Sequence, residues 1–143
     1  MTNVGFEGIG FMTANLWIRR DTFLAVGGFD PQFDPFPFRE DTDLAWRALR
    51  HGTIPFGADV RVYHPPQPRA VDREAAAARV RFFENDALLL KKHPARYRDL
   101  FLRERHYAHT PGFFDHLQRG ALKYGVEIDD FYLSHRWQQR GVS

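Results

Sequence analysis

A change of composition at the proline cluster Pro65–Pro68 is the feature that most constrains how this chain can fold. The segment before this PPQP cluster contains glycine, proline and aromatic residues between short apolar stretches, whereas the segment after it has long runs with helical periodicity. Proline lacks a backbone N–H and fixes φ, so a cluster of prolines interrupts both helices and strands. We therefore predict two parts, residues 1–67 and residues 68–143.

The first part is predicted to combine short strands with two helices. A short helix over DTFLAV ends at Gly27–Gly28, because glycine tolerates left-handed backbone geometry. Apolar residues at helical spacing predict a second helix from about Asp41 to His51. The stretches ANLWIRR, TIPF and ADVRVYH have the composition typical of strands. The expected fold class is therefore α/β, as an α+β fragment followed by a mostly α-helical region.

The second part is predicted to open with a strong helix from Asp72 to about Lys92, followed by helices over 96–103, 111–124 and 129–139. Apolar residues of the first helix repeat in the 4-3-4-3 order of a heptad seam. Such a face must pack on the first part, on another helix or on a second copy of the chain, so it is also a candidate homodimer surface. The residues of this seam are Ala76, Val80, Phe83, Ala87 and Leu90.

Composition excludes several functional classes. The chain has no cysteine, which excludes disulfides and thiolate metal sites. No apolar run approaches the roughly 20 residues that span a bilayer, and the N-terminus lacks the basic-then-apolar order of a signal peptide. The net charge is only +2 and the arginines are scattered among acids, without the basic stripe of a nucleic-acid-binding protein. We therefore expect a cytoplasmic protein, or part of one, with no membrane span and no nucleic-acid partner.

The stretch FREDTDLAWRALRHG places Glu40, Asp41 and Asp43 at the start of the second helix. Carboxylates in a first helical turn interact favourably with the helix dipole, each by about 0.3–1 kcal/mol, so a purely structural role is one interpretation. Asp41 and Asp43 differ by about 200° around a helix, so they cannot face one ligand. This argues against a D-x-D metal motif and favours one acid in a cleft, with the other capping the helix or facing solvent.

Several motifs occur in an order that resembles a known family. ANLWIRRDTFLAVGGFDPQF, EDTDLAWRALRHG and VRVYHP are similar to the C-terminal, acceptor-side half of a GT-A glycosyltransferase domain of the large inverting family 2. The resemblance covers about residues 8–66, and RFFENDALLLKKHP resembles the helical tail of many bacterial members. It implies transfer of a sugar from a nucleotide-diphosphate sugar to a hydroxyl acceptor, with inversion.

The resemblance also implies roles for individual residues. Asp41 matches the family's general base, which takes the proton of the acceptor hydroxyl, and Glu40 matches a neighbour that binds acceptor hydroxyls. His64 matches a histidine that contacts the metal or the diphosphate. Asn15 and Arg20 lie in the matching strand and its basic end, on the substrate side.

Two aromatic residues have open alternatives. Phe38 and Trp46 are candidates for stacking on a sugar ring of the acceptor. A tryptophan at this helical spacing is also typical of a packed core. Phe38, on a proline-rich loop, would otherwise be partly exposed or packed against the missing half of the domain.

The family's nucleotide-binding half, with the Asp-x-Asp that holds Mg²⁺ or Mn²⁺, has no counterpart in the fourteen residues before Asn15. We therefore expect the metal in the complete enzyme, none bound by this chain alone, and no transfer activity from this chain alone. The alternative is a non-catalytic interaction or glycan-binding module that dimerises through the seam of the long helix.

The expected absence of the donor half gives a first prediction. Titration of the 143-residue chain with UDP- or GDP-sugars in the presence of Mn²⁺ is expected to give no heat of binding in a calorimeter. Binding in the micromolar range would contradict the expectation that the donor half is missing.

Overall fold

The computed structural model describes residues 11, 13–35, 38–60, 62–63, 80–103 and 107–137. These residues form helices and irregular segments. The α-helices in the described ranges are α1 (Arg20–Ala25), α2 (Glu40–Ala48), α3 (Glu84–Lys92), α4 (Pro94–Arg103), α5 (Phe113–Tyr124) and α6 (Asp130–Trp137). Short 3-10 turns occur at Thr13–Asn15, Pro31–Phe33, Val80–Phe83 and Tyr107–His109.

The predicted α/β fold class is wrong, because the residues that the structure describes contain no strand and no sheet. The start of ANLWIRR belongs to the 3-10 turn Thr13–Asn15, and residues 16–19 have no regular structure. Residues 53–56 of the second predicted strand and the described residues of the third, 58–60 and 62–63, also form no strand. A strand persists only where neighbouring backbone satisfies its N–H and C=O groups. Here the side-chain amide of Asn15 donates to the carbonyl of Val60 over 3.0 Å, in place of a backbone ladder.

The chain divides into two compact units. The first unit holds the described residues of 11–34 and 39–63, and the second holds those of 35 and 38 together with 80–137. The sequence-predicted boundary near residue 68 lies in 64–79, outside the described residues, and stays a prediction.

In the first unit, α1 ends as the sequence predicts. Gly27 and Gly28 have φ of 79° and 68°. The amide of Gly28 donates to the carbonyl of Phe23, and that of Gly27 donates to the carbonyl of Leu24, each over 3.0 Å. This pair of bonds is a Schellman motif, which only residues that tolerate a left-handed backbone form readily. The predicted glycine stop is confirmed.

The core of the first unit lies on α2. The helix begins at Glu40 and ends at Ala48, three residues before the predicted end at His51. Phe33, in the turn before this helix, is buried as well, and the buried apolar residues of the helix are Leu44, Ala45, Trp46 and Ala48. The short helix is therefore held mainly by burial of its apolar face.

The described residues of the second unit form a cluster of helices in which α3 packs against α5. Gly120 of α5 permits this close approach, because a Cβ at that position would overlap the Glu84 carbonyl oxygen and lie 2.9 Å from the Cβ of Ala87. An aromatic cluster completes the core: the rings of Phe83 and Phe113 are 4.9 Å apart, and those of Phe101 and Tyr132 are 5.1 Å apart. Edge-on geometry at both pairs is the arrangement that aromatic rings prefer.

The seam predicted on the long helix is partly described. Phe83, Ala87 and Leu90 are all buried in the second unit, so they do not form an open face. Ala76 lies outside the described residues, as does the start of the predicted helix. Val80–Phe83 is a 3-10 turn, and the α-helix proper begins at Glu84. The three later helices predicted from the sequence correspond to α4, α5 and α6.

Within the described ranges, no helix combines the length and the apolar character needed to cross a bilayer.

The contact between α3 and α5 gives a second prediction. Gly120→Ala is expected to lower the free energy of unfolding by about 1–3 kcal/mol, because the new methyl group overpacks the helix contact. Intrinsic helix propensity acts in the opposite direction and would stabilise by about 0.5–1 kcal/mol, so the sign of the change is diagnostic. Urea unfolding measures it.

Gln118→Ala on the exposed side of the same helix is the matched control, with an expected change of less than about 0.5 kcal/mol. A stabilising effect of Gly120→Ala would contradict the close approach of the two helices.

Candidate functional site

The backbone turns sharply just before the Glu40–Asp41 pair. Arg39, the residue that precedes α2, has φ of 74° and is the one non-glycine residue with positive φ in the described ranges. A left-handed backbone with a side chain is sterically unfavourable, by about 1–2 kcal/mol. Such strain persists only where the surrounding structure enforces it, and it is frequent at functional sites. The acid pair therefore follows a strained backbone turn.

Asp41 is held in a fixed orientation by two backbone amides. Its Oδ2 accepts a hydrogen bond from the amide of Thr13 over 3.2 Å, and its Oδ1 accepts one from the amide of Thr42 over 2.7 Å. The Thr42 hydroxyl also donates to Oδ1, over 3.5 Å. A carboxylate oxygen has two acceptor positions, so the position left for a further donor is on Oδ2. The bond to Thr13 ties the Thr13–Asn15 turn to the start of α2.

Glu40 lies in a different environment. Burial raises the pKa of its carboxyl group, and the negative charges of Asp41 and Asp34 raise it further, while a hydrogen bond with its own backbone opposes the shift. Its Oε2 is buried and has no hydrogen-bond partner among the described residues. A buried carboxyl oxygen without a donor disfavours the charged form. Glu40 therefore retains its proton to a higher pH than an ordinary glutamate.

Asn15 connects the turn to a second loop and to an exposed tryptophan. Its Nδ2 donates to the carbonyl of Val60 over 3.0 Å, and its Oδ1 accepts a hydrogen bond from the indole N–H of Trp17 over 3.1 Å. Sequence reasoning included Asn15 but missed Trp17, because an aromatic residue within a predicted strand gives no indication of whether it is buried or exposed.

Asp43 is fully buried and paired with Arg47. The sequence favours one of Asp41 and Asp43 in a cleft, with the other capping the helix or facing solvent, so a solvent-facing Asp43 is excluded. The Arg47 Nε donates to Asp43 Oδ2 over 2.8 Å. The same guanidinium donates to the carbonyl of Val26 and, over 2.7 Å, to that of Gly28. The spacing of four residues between these opposite charges was the available sequence signal.

The structure describes three of the remaining predicted site residues, each in its own surroundings. Trp46 is only 2% exposed and forms part of the first unit's core. Phe38 belongs to the second unit, where its ring is 5.8 Å from that of Phe83. Arg20 is exposed at the start of α1, and His64 lies outside the described residues.

The described residues contain no group of three or more histidine or acidic side chains arranged to hold a metal ion. Both oxygens of Asp41 already accept hydrogen bonds from backbone amides. Mg²⁺ and Mn²⁺ need several oxygen ligands at once, which this acid pair alone does not supply. The acid pair therefore does not fit a metal site.

Comparisons of the chain with protein-family models, with curated proteins and with solved structures give no match.

The raised pKa of Glu40 gives a third prediction. The folded state binds the proton of Glu40 more tightly than the unfolded state, so ionisation of this residue lowers the free energy of unfolding as pH rises. The effect begins near the ordinary glutamate value of 4.5 and is complete above the raised pKa of the folded protein. Glu40→Gln should therefore stabilise the protein above this window and change its stability much less below it.

Urea unfolding of the wild type and the variant across this pH range measures the difference, with Glu127→Gln at an exposed position as the control. Parallel stability curves for wild type and Glu40→Gln would contradict the assignment.

The Arg47 network gives a fourth prediction. Arg47→Met keeps the aliphatic stem but leaves the buried carboxylate of Asp43 without this cation, at an expected cost of about 3–5 kcal/mol. Amide hydrogen exchange of α2 measures the loss locally. Arg50→Met, one turn later and exposed, is the matched control and should change protection by less than about 0.5 kcal/mol. Equal effects of both variants would contradict a special role for Arg47.

Proposed function

We propose that this chain supplies the acceptor side of an inverting glycosyltransferase similar to family 2, which transfers a sugar from a nucleotide-diphosphate sugar to a hydroxyl acceptor. The observation that carries the proposal is the state of the Glu40–Asp41 pair. One carboxylate is fixed by two backbone amides with acceptor capacity left over, and its neighbour has a raised pKa. Neighbouring carboxyl groups with different environments are typical of acid–base sites.

In this proposal Asp41 is the general base. The acceptor hydroxyl donates its hydrogen bond to a free lone pair of the Asp41 carboxylate. As the hydroxyl oxygen forms its bond to the anomeric carbon, its proton passes to Asp41, and the bond to the nucleotide diphosphate breaks on the opposite face of the sugar. A base for this step must reach the hydroxyl at hydrogen-bond distance, which the fixed orientation of Asp41 supports.

Glu40 has a supporting role in this scheme. A carboxyl group with a raised pKa can donate a hydrogen bond while protonated and accept one while ionised. Glu40 can therefore bind a second hydroxyl of the acceptor and fix which hydroxyl reaches Asp41. The nucleotide sugar belongs to the donor side of the complete enzyme, where Mg²⁺ or Mn²⁺ would offset the charge of the leaving diphosphate.

The alternative function is a non-catalytic module that binds a glycan or another partner. Trp17 is 80% exposed, which favours a binding module over a fragment with a purely structural role. Dimerisation through the long-helix seam has less support, because Phe83, Ala87 and Leu90 are covered by the second unit itself. Transfer activity separates the two functions.

The proposal is tested by Asp41→Asn in the protein that also carries the nucleotide-binding half. The variant keeps the size of the side chain but cannot accept the proton at neutral pH, and its NH2 group cannot accept one of the two backbone N–H bonds that Asp41 accepts. We expect sugar transfer to fall by a factor of about 100 or more, the range of general-base contributions, with donor binding nearly unchanged. Transfer of radiolabelled sugar and calorimetry of the donor measure the two quantities.

Asp21→Asn is the matched control, because Asp21 is also an acid in the first turn of a helix of the same unit. It should leave transfer unchanged. Full activity of Asp41→Asn would exclude Asp41 as the base.

A further inference from the structure

We infer that Trp17 is the stacking surface for a sugar ring of the acceptor, and that the Thr13–Asn15 turn links it to Asp41. This inference rests on the proposed function and deepens it by naming a residue that binds the acceptor. It concerns the indole face of Trp17 and its fixed neighbour Asn15, both in the first unit.

The exposure of Trp17 is the first observation. Its side chain is 80% exposed, whereas Trp46 in the same unit is 2% exposed. Tryptophan carries the largest apolar surface of any residue, so burial is its usual state. The first unit has therefore placed one indole in its core and left another open to solvent.

The orientation of this open indole is fixed, which is the second observation. Its N–H donates to Asn15 Oδ1 over 3.1 Å, and Asn15 Nδ2 in turn donates to the Val60 carbonyl over 3.0 Å. The two bonds also determine which end of the Asn15 amide faces the indole. A ring that is already oriented loses little conformational freedom when a ligand stacks on it, which favours binding.

The third observation is that the same turn is tied to the acid pair. Thr13, the first residue of the turn, donates its amide to Asp41 Oδ2 over 3.2 Å. Trp17 follows four residues later, so its backbone lies within about 14 Å of Thr13 even for a fully extended chain. A short oligosaccharide covers that distance, so one of its sugars can stack on Trp17 while another presents a hydroxyl to Asp41.

The chemistry of these neighbours selects a sugar over other occupants. A pyranose has an apolar face of C–H groups and a rim of hydroxyls. The indole face matches the first, and the carboxylate of Asp41 and the amide of Asn15 match the second. An apolar segment of a protein or lipid laid across the same surface would desolvate the carboxylate and amide without offering hydrogen bonds, which is costly.

The test uses the full chain and a panel of tetrasaccharides built from glucose, N-acetylglucosamine, mannose or galactose. The indole N–H signal of Trp17, identified by its absence in Trp17→Phe, is followed by NMR during titration. We expect at least one tetrasaccharide to shift this signal at millimolar concentration. Trp17→Ala should weaken that binding about tenfold or more, as removal of a central aromatic contact does in other interfaces.

Asn15→Ala, which releases the indole, should weaken binding by a smaller factor. Leu122→Ala is the matched control for loss of an exposed apolar side chain, because Leu122 is 87% exposed on α5, and it should leave binding unchanged. If no tetrasaccharide shifts the Trp17 signal, or if binding survives Trp17→Ala, the inference is overturned.

Failure of this inference can be told apart from failure of the proposed function. If Asp41→Asn retains transfer in the complete protein while Trp17→Ala loses tetrasaccharide binding, the catalytic proposal fails and the stacking surface stands. If Asp41→Asn abolishes transfer but Trp17→Ala leaves the KM for the acceptor unchanged, the stacking surface is overturned and the catalytic proposal stands.

Discussion

The guanidinium of Arg47 is the interaction on which the first unit depends. It neutralises the buried Asp43 and donates to the carbonyls of Val26 and Gly28. The two carbonyls lie in the turn that ends α1, so one side chain fixes that turn to α2. The planar fork of arginine suits this task, because it presents several donors in fixed directions, which a lysine cannot do. These bonds fix α2, which carries the Glu40–Asp41 pair at its start, to the end of α1.

The helices were largely predictable, because their signals are local. Gly27 and Gly28 predicted the end of α1, since the absence of a side chain permits the backbone that a Schellman motif needs. The predicted strands did not form in the described residues, because a strand depends on a partner far away in the sequence and composition does not show whether that partner is there. Residues with strand composition near Asn15 and Val60 meet instead through one side-chain amide, 45 residues apart in the chain. Composition alone does not distinguish these outcomes.

The candidate site was predictable only in part. Glu40 and Asp41 were identified through their order among other motifs, and the structure gives them different environments. The tie from Asp41 to Thr13 could not be predicted, because it joins a carboxylate to a backbone amide that carries no sequence signal. Trp46 and Trp17 show the same limit: both occur in apolar stretches, and only the folded chain decides that one is buried and the other exposed.

The bond between Thr13 and Asp41 has a thermodynamic consequence. The turn that carries Asn15 is bonded to the exposed indole of Trp17 on one side and to the carboxylate of Asp41 on the other. A ligand at the indole that stabilises this turn also stabilises its bond to the carboxylate, and by linkage anything that stabilises the carboxylate end strengthens binding at the indole by the same free energy. Under the proposed function, the five residues 13–17 would then couple binding of the acceptor to alignment of the base.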